Sequence, residues 1–365
     1  MKRIVICGGH LTPAQAVIEE LKKEDRWQIY YFGRKYAMEG KRVPSAESKI
    51  IPLLGIKFIP IAAGRLQRKF TRFTIPSLLR VPLGFFQSLY WLLKIRPLVI
   101  CSFGGYVSVP VVLAGWLLRI PILTHEQTTV FGLASKINSF FASKIAVSFP
   151  ESLKFFPKEK VILTGNPIRQ EIFKIRKPSH FPLRPSPFPL IYITGGNQGA
   201  KVINRAVLEI LPKLLGKYTI IHQCGELDYE NLKLDLRENY ILTKYVGLED
   251  IGWVLNKADL IVSRAGANIV CEIAALGKPA LFIPIPWSYQ DEQTKNAQML
   301  VKAGIAEILP QKELTGPSLL NKISEMMANL EKYQRNAPEA KKLIKPDSSL
   351  KIVKELNDLS KPKKP

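Results

Sequence analysis

The residues best suited to chemistry lie between Ile261 and Ala297, in the stretch IVSRAGANIVCEIAALGKPALFIPIPWSYQDEQTKNA. A short apolar run, Leu260 to Val262, stops at Ser263-Arg264-Ala265-Gly266. A helical pattern (Ile269, Val270, Ile273, Ala274) then runs to Gly277, and a second strand follows from Pro279 to Ile283. In a strand, small-residue turn and helix of this kind, the first N–H groups of the helix point at whatever lies above the sheet, and they take anions readily. Glu272, inside the helix, adds a carboxylate that accepts from hydroxyls, and Gln293 adds a neutral amide. Together these groups suit a nucleotide-sugar better than a bare nucleotide.

The elements that must position these groups alternate along the whole chain. Buried parallel strands are expected at Arg3–Cys7, Gln28–Phe32, Leu98–Ser102, Pro121–Thr124 and Lys144–Ser148. Helical patterns lie between them near Pro13–Lys23, Pro76–Leu93, Val107–Leu118 and Ala134–Ala142. The rhythm restarts at Leu190–Thr194 and continues to Glu292–Lys302. Two β/α series of similar length imply two doubly wound units. Residues 171–188 carry four prolines and no clear period, as a linker would. The expected organisation is therefore residues 1–170, a linker at 171–188, residues 189–345, and a terminal helix and tail at 346–365.

The chain has 365 residues, more than one core comfortably serves, and a hydrophobic content of 47% that excludes general disorder. Cys7, Cys101, Cys224 and Cys271 are far apart, with no Cys-x-x-Cys or Cys/His cluster, so neither a disulfide framework nor a zinc site is implied. A reducing compartment fits. The stretch Leu98 to Leu118 is apolar but holds Gly104-Gly105 and Pro110, and it reads as strand, turn and buried helix rather than a membrane span. Formal net charge is +23, and residues 1–170 hold 25 Lys and Arg against 9 Asp and Glu. No carboxylate occurs between Glu47 and Glu126. Within that gap, about residues 65–86, Arg65, Arg68, Lys69, Arg72 and Arg80 alternate with Leu66, Phe70, Phe73, Leu78, Phe85 and Phe86. Such a mixture implies peripheral contact with an anionic membrane surface, although it also fits an ordinary core under a basic surface. No nucleic-acid motif accompanies the charge, so nucleic acid is not an expected partner.

Seven short motifs in order carry a resemblance. They are Gly8-Gly9-His10 with Pro13-Ala14, Gly104-Gly105-Tyr106-Val107, His125-Glu126-Gln127, and Gly165-Asn166-Pro167-Ile168-Arg169. Gly195-Gly196-Asn197-Gln198-Gly199-Ala200, the run Ser263 to Glu272, and Gln293-Thr294-Lys295-Asn296-Ala297 complete the set. Across roughly residues 3–330 the chain resembles the MurG family, transferases that add N-acetylglucosamine to the lipid-linked muramyl-peptide precursor of peptidoglycan. The resemblance implies two Rossmann-like doubly wound α/β domains facing across a cleft, the GT-B arrangement. It implies UDP-N-acetylglucosamine and undecaprenyl-diphosphate-linked muramyl-pentapeptide as substrates, no cofactor, and a place on the cytoplasmic side of the membrane. It also implies that the terminal helix returns to the first domain.

Sugar transfer from a nucleotide diphosphate needs a base for the acceptor hydroxyl and stabilisation of the departing diphosphate. The chain has no Asp-x-Asp to hold a metal, so helix N-termini, backbone N–H groups and Arg or Lys must meet the charge. His10, in a glycine turn, is a reasonable base, and Glu126 is its rival. The resemblance implies donor contacts at Arg169, Asn197 (where the family usually has Ser), Val246, Ala267, Asn268, Ile269, Val270, Cys271, Glu272 and Gln293. On the acceptor side it implies Gly8, Gly9, Gly104, Gly105, Tyr106 and Thr128, the last where the family usually carries Asn. The family's first loop runs Gly-Gly-Thr-Gly-Gly-His, whereas only Gly8-Gly9-His10 stands here. Three alternatives stay open: a related transferase acting on another lipid, a non-catalytic membrane-bound homologue, and a nicotinamide-dependent oxidoreductase. The last lacks a clean Gly-x-Gly-x-x-Gly after the first strand.

Overall fold

Continuous apolar runs ending in glycine or a small polar residue become parallel strands covered on both faces. The computed structural model describes residues 1–38, 41–64, 74–130, 132–176, 187–232 and 238–361, and the side chains of all of these but 37, 38, 41, 42 and 74–79. In chain order the first elements are β1 (Lys2–Cys7), α1 (Leu11–Lys22), β2 (Trp27–Gly33), β3 (Tyr36–Met38), β4 (Lys41–Pro44), α2 (Ala46–Leu53) and β5 (Lys57–Pro60). Next come α3 (Thr74–Ile95), β6 (Val99–Ser102), α4 (Ser108–Leu117), β7 (Ile122–Glu126), α5 (Leu133–Phe141), β8 (Lys144–Val147) and β9 (Val161–Leu163). The second series runs β10 (Leu190–Thr194), α6 (Lys201–Leu215), β11 (Thr219–Gln223), α7 (Tyr229–Leu232), β12 (Tyr240–Thr243), α8 (Leu248–Lys257), β13 (Leu260–Ser263), α9 (Ala267–Leu276), β14 (Ala280–Phe282), α10 (Glu292–Lys302) and β15 (Ala306–Ile308). The chain closes with α11 (Gly316–Ala328), α12 (Leu330–Arg335), α13 (Ala337–Lys342) and α14 (Ser348–Leu359).

The chain divides into two units, Met1–Arg169 with Lys345–Pro365, and Gln170–Ile344. In unit 1 the seven strands of the main sheet lie in the order β5-β2-β1-β6-β7-β8-β9, all parallel. Unit 2 has six parallel strands in the order β12-β11-β10-β13-β14-β15. Each is a doubly wound sheet, in agreement with the sequence, and in each the order reverses beside the first strand. Ligands of such sheets bind outside the carboxyl ends of the strands at that reversal. In unit 1 the reversal lies between β1 and β6; in unit 2 it lies between β10 and β13.

Local sequence sets the element ends. The α9 helix stops at Gly277, whose φ of +67° is the left-handed cap that glycine adopts without strain. The apolar stretch from Leu98 divides into β6, the Gly104-Gly105 turn and α4, and no described helix is long and apolar enough to cross a membrane. All four cysteines are free, buried thiols. The α14 helix packs on α1 inside unit 1, where Asn357 Nδ2 donates to Glu24 Oε1 at 2.9 Å.

Two sequence expectations meet the structure differently. The stretch read as a linker begins docked, not free: Ile172 is fully buried, and its carbonyl accepts Asn256 Nδ2 at 2.6 Å. A Cβ at Gly252 of α8 would stand 2.1 Å from the Glu171 carbonyl oxygen, so only glycine lets this turn lie on the helix. The rest of that stretch, 177–186, lies outside the described residues. So do Arg65, Leu66, Arg68, Lys69, Phe70, Arg72 and Phe73 of the basic, apolar segment, and Leu78 is without a described side chain.

Candidate active site

At the reversal in unit 1, the turns after β1 and β6 meet backbone to backbone. The Phe103 N–H donates to the Cys7 carbonyl at 2.7 Å, and the Gly9 N–H to the Gly104 carbonyl at 3.1 Å. Gly8, with φ of +134°, leaves no room for a side chain: a Cβ there would stand 2.8 Å from the Phe103 carbonyl carbon. The turn hands directly to α1, with half-buried His10 as the residue before its first turn. His10 Nδ1 lies 2.7 Å from the Phe103 carbonyl oxygen. A carbonyl only accepts, so Nδ1 carries a hydrogen, and in the neutral ring the lone pair is on Nε2. That is the tautomer a general base requires.

Glu126 ends β7 and is buried. Its Oε1 accepts from the Thr128 N–H at 3.1 Å and the Thr128 hydroxyl at 2.9 Å, while Oε2 is buried without a hydrogen-bond partner among the described residues. Glu126 thus takes the Thr128 N–H, while the single hydroxyl hydrogen of Thr128 is shared between Glu126 and the Val130 carbonyl. His125 is structural. Its Nε2 lies 3.1 Å from the Gly165 carbonyl and its Nδ1 takes the Gln127 amide at 3.0 Å, and burial pulls its pKa down to about 4. Arg169, buried, is the last residue before the boundary of unit 1.

Tyr106 follows the Gly104-Gly105 turn, and here the structure adds two residues that sequence reasoning missed. Arg34 stands just past Gly33, the last residue of β2. Its Nε meets Glu47 Oε1 at 3.0 Å, its Nη1 donates to the Tyr106 hydroxyl at 3.2 Å, and its guanidinium lies 5.8 Å from the Tyr106 ring centroid. Glu47 is 2% exposed and the Arg34 side chain 25%. The available signal was a charged residue at the carboxyl end of a parallel strand, one strand from the reversal.

In unit 2 the turn after β10 is longer and made of backbone. Gly199 has φ of +73°, and a Cβ there would overlap the Cys224 carbonyl at 1.8 Å. The Gly199 N–H donates to the Gly196 carbonyl at 3.0 Å, and Asn197 at the tip is exposed. Gln223 ties this turn to the loop before α8. Its Nε2 donates to the Gly196 carbonyl at 3.0 Å, and its Oε1 accepts from Val246 N–H at 2.9 Å and Tyr192 hydroxyl at 3.1 Å. With its N–H taken, Val246 has only its carbonyl for a ligand. Behind the turn, Asn204 Nδ2 donates to the Cys224 carbonyl at 3.0 Å, and Asn204 Oδ1 accepts from His222 Nε2 at 3.0 Å. Burial lowers the pKa of His222 to about 4, so it is neutral.

The turn after β13 opens α9 at Gly266 with no side-chain cap and no acidic residue in the first turn. Its first N–H groups are those of Ala267, Asn268 and Ile269, and the Val270 N–H reaches the Gly266 carbonyl at 3.1 Å. Val270 and Cys271 are core residues, 2% and 1% exposed. Glu272 is buried on the same helix. Arg264 is spent inside: Nη1 donates to the Ile283 carbonyl at 2.8 Å and Nη2 to Gln311 Oε1 at 2.7 Å, and burial lowers its pKa to about 10. Gln293 Oε1 accepts from Ala265 N–H at 3.3 Å and Ile285 N–H at 3.0 Å, which leaves its Nε2 as donor. No cluster of three or more His, Cys, Asp or Glu fit to hold a metal occurs among the described residues.

Comparison with known proteins decides the family. The glycosyltransferase family 28 N-terminal domain matches residues 7–147 and the glycosyltransferase family 28 C-terminal domain residues 190–352. A UDP-N-acetylglucosamine--N-acetylmuramyl-(pentapeptide) pyrophosphoryl-undecaprenol N-acetylglucosamine transferase 2 of Bacillus thuringiensis subsp. konkukian is 40% identical over 341 residues, 92% of this chain and 94% of that protein. The chain belongs to the MurG family of glycosyltransferases. A Clostridium botulinum (strain Loch Maree / Type A3) transferase of the same description is 35% identical over 363 residues, 98% of each chain. Among solved structures, Acinetobacter baumannii MurG superposes with a TM-score of 0.68 at 26% identity, covering 98% of this chain and 100% of that one. The two doubly wound units are thus those of a GT-B glycosyltransferase.

Proposed function

We propose that the chain moves N-acetylglucosamine from UDP-N-acetylglucosamine to the 4-hydroxyl of a lipid-linked N-acetylmuramyl-pentapeptide diphosphate, with inversion at the anomeric carbon. The observation that carries this reading is the match, over more than nine-tenths of the chain, to relatives described by that activity. The site's geometry supports it. His10 Nε2 takes the proton of the acceptor hydroxyl while its oxygen attacks the anomeric carbon, and the bond from that carbon to the UDP oxygen breaks. Glu126, with its unpartnered Oε2, is the second candidate for the base. Arg169, Asn197 and the first N–H groups of α9 meet the charge of departing UDP. The Val246 carbonyl accepts from uracil, Glu272 from ribose hydroxyls, and Gln293 Nε2 donates to a sugar oxygen.

On the donor side, the Val246 carbonyl and the first N–H groups of α9 are backbone contacts that tolerate side-chain change; the acceptor side rests on fewer residues. Peripheral attachment to the cytoplasmic face of a membrane belongs to the same proposal. It is supported by Phe86, Trp116, Leu117 and Phe140 of α3, α4 and α5, all more than half exposed in a unit rich in basic residues. The test is transfer of radiolabelled N-acetylglucosamine from UDP to a short-chain muramyl-pentapeptide lipid, with EDTA present, against a panel of glycerolipids. Labelled muramyl product alone is the expected result. Labelled glycerolipid would move the chain to another acceptor, and tight UDP binding without product would make it a non-catalytic homologue.

A further inference from the structure

The Arg34, Glu47 and Tyr106 cluster lies at the carboxyl end of the unit 1 sheet and has no part in the proton transfer described above. Its construction is unusual for a surface ion pair. Ser45 caps α2 through the Ser48 N–H at 3.1 Å, and its own hydroxyl donates to the Arg34 carbonyl at 2.6 Å. The helix start therefore holds the Arg34 backbone while Glu47, in its first turn, holds the side chain. A Cβ at Gly33 would come within 3.1 Å of Glu47 Cγ, so the carboxylate is packed beneath the end of β2. The buried acid and the part-exposed guanidinium form a pair whose positive end is the outer one.

Arginine has donors only, so the Tyr106 oxygen must accept from Arg34 and its own hydrogen is left to donate elsewhere. Among the described residues that hydroxyl has no acceptor. Tyr106 is also fixed from behind. Gly105, φ +76°, would place a Cβ 3.3 Å from Gly9 N, so the Tyr106 turn and the His10 turn move as one piece. We propose that Arg34, pinned by Glu47, is a positioning residue that turns the Tyr106 O–H toward an anionic oxygen of the acceptor's diphosphate. Tyr106 makes the contact, and Arg34 sets its direction and strengthens it by polarising the hydroxyl.

The inference rests on the acceptor reading above, and the experiment separates the two. Initial rates are measured for wild type, Tyr106→Phe, Arg34→Gln and the double variant. The acceptors are a short-chain muramyl-pentapeptide lipid diphosphate and a methyl glycoside of the same muramyl-peptide without phosphate. With the diphosphate, each single variant raises the acceptor KM about tenfold, with the donor KM within about twofold of wild type. The double variant is no worse than Tyr106→Phe, because Arg34 acts through the tyrosine. With the phosphate-free acceptor all four proteins agree. Wild type that fails on the diphosphate acceptor overturns the acceptor reading itself. Wild type that works, with acceptor KM unchanged in Tyr106→Phe, overturns only this inference. A double variant clearly worse than either single one overturns the positioning role by making Arg34 a direct contact.

Discussion

Gly8-Gly9-His10 and Gly195 to Ala200 occupy the same place in two sheets of the same winding, yet they deliver different things. The first is so short that the residue after its glycines is already the cap of α1, and what it carries there is a side chain, the His10 imidazole. The second has room for a turn closed on itself from Gly199 N–H to the Gly196 carbonyl, and what it carries is backbone and an exposed asparagine. Loop length after the first strand thus decides whether the end of the sheet carries a side chain or a stretch of backbone. Each turn also rests on a neutral, buried histidine. The Phe103 ring lies 5.7 Å from His125, and His222 supports the Gly199 turn through Asn204 and the Cys224 carbonyl.

The comparison breaks most visibly at Gly199. A methyl there must displace the Cys224 carbonyl from 1.8 Å, so Gly199→Ala is expected to cost unit 2 roughly 3 kcal/mol or more and to abolish UDP binding. Thermal unfolding and a UDP titration check this. Acid probes both turns together. His125 and His222 titrate near pH 4 when folded but near their ordinary value of about 6.5 when unfolded. Below that value the unfolded chain binds more protons, so stability falls with falling pH between about 6.5 and 4, by up to ~3 kcal/mol for each histidine. Denaturant midpoints across that window should drop, and His222→Gln should flatten part of the drop. The smallest effect is expected at Gly9, where an added Cβ meets nothing within 4 Å and φ is not positive. Gly9→Ala should stay within about 0.5 kcal/mol of wild-type stability, in contrast to Gly199→Ala.

Much of this frame was readable in the residues. Strands such as β6, β10 and β1 from Ile4 are short apolar runs bounded by glycine or a small polar residue, a pattern that suits a buried parallel strand. The edge strands β9 and β15 escaped because three residues, partly exposed, carry no period. Helix α2 escaped because AESKIIPL is short and contains Pro52, and its stability comes from the Ser45 cap and from Glu47 packing beneath β2. The glycine turns and His10 were visible because backbone geometry restricts residue type at those positions. The spending of donors and acceptors was not. Nothing in sequence says that Gln223 consumes the Val246 N–H, that Gln293 keeps only its amide hydrogens, or that Arg34 reaches both Glu47 and Tyr106. Such pairings depend on loops that meet only after the sheet has formed.

The central claim is that the first turn exists to present His10 Nε2 to the acceptor, while the donor is held by Arg169 and by groups of unit 2. Turnover at saturating donor, measured beside UDP-N-acetylglucosamine affinity in wild type and His10→Ala, tests it most directly. The account predicts a rate loss of about a hundredfold or more with donor affinity unchanged within about twofold. A variant that keeps its rate within about threefold of wild type would contradict it and return the base to Glu126.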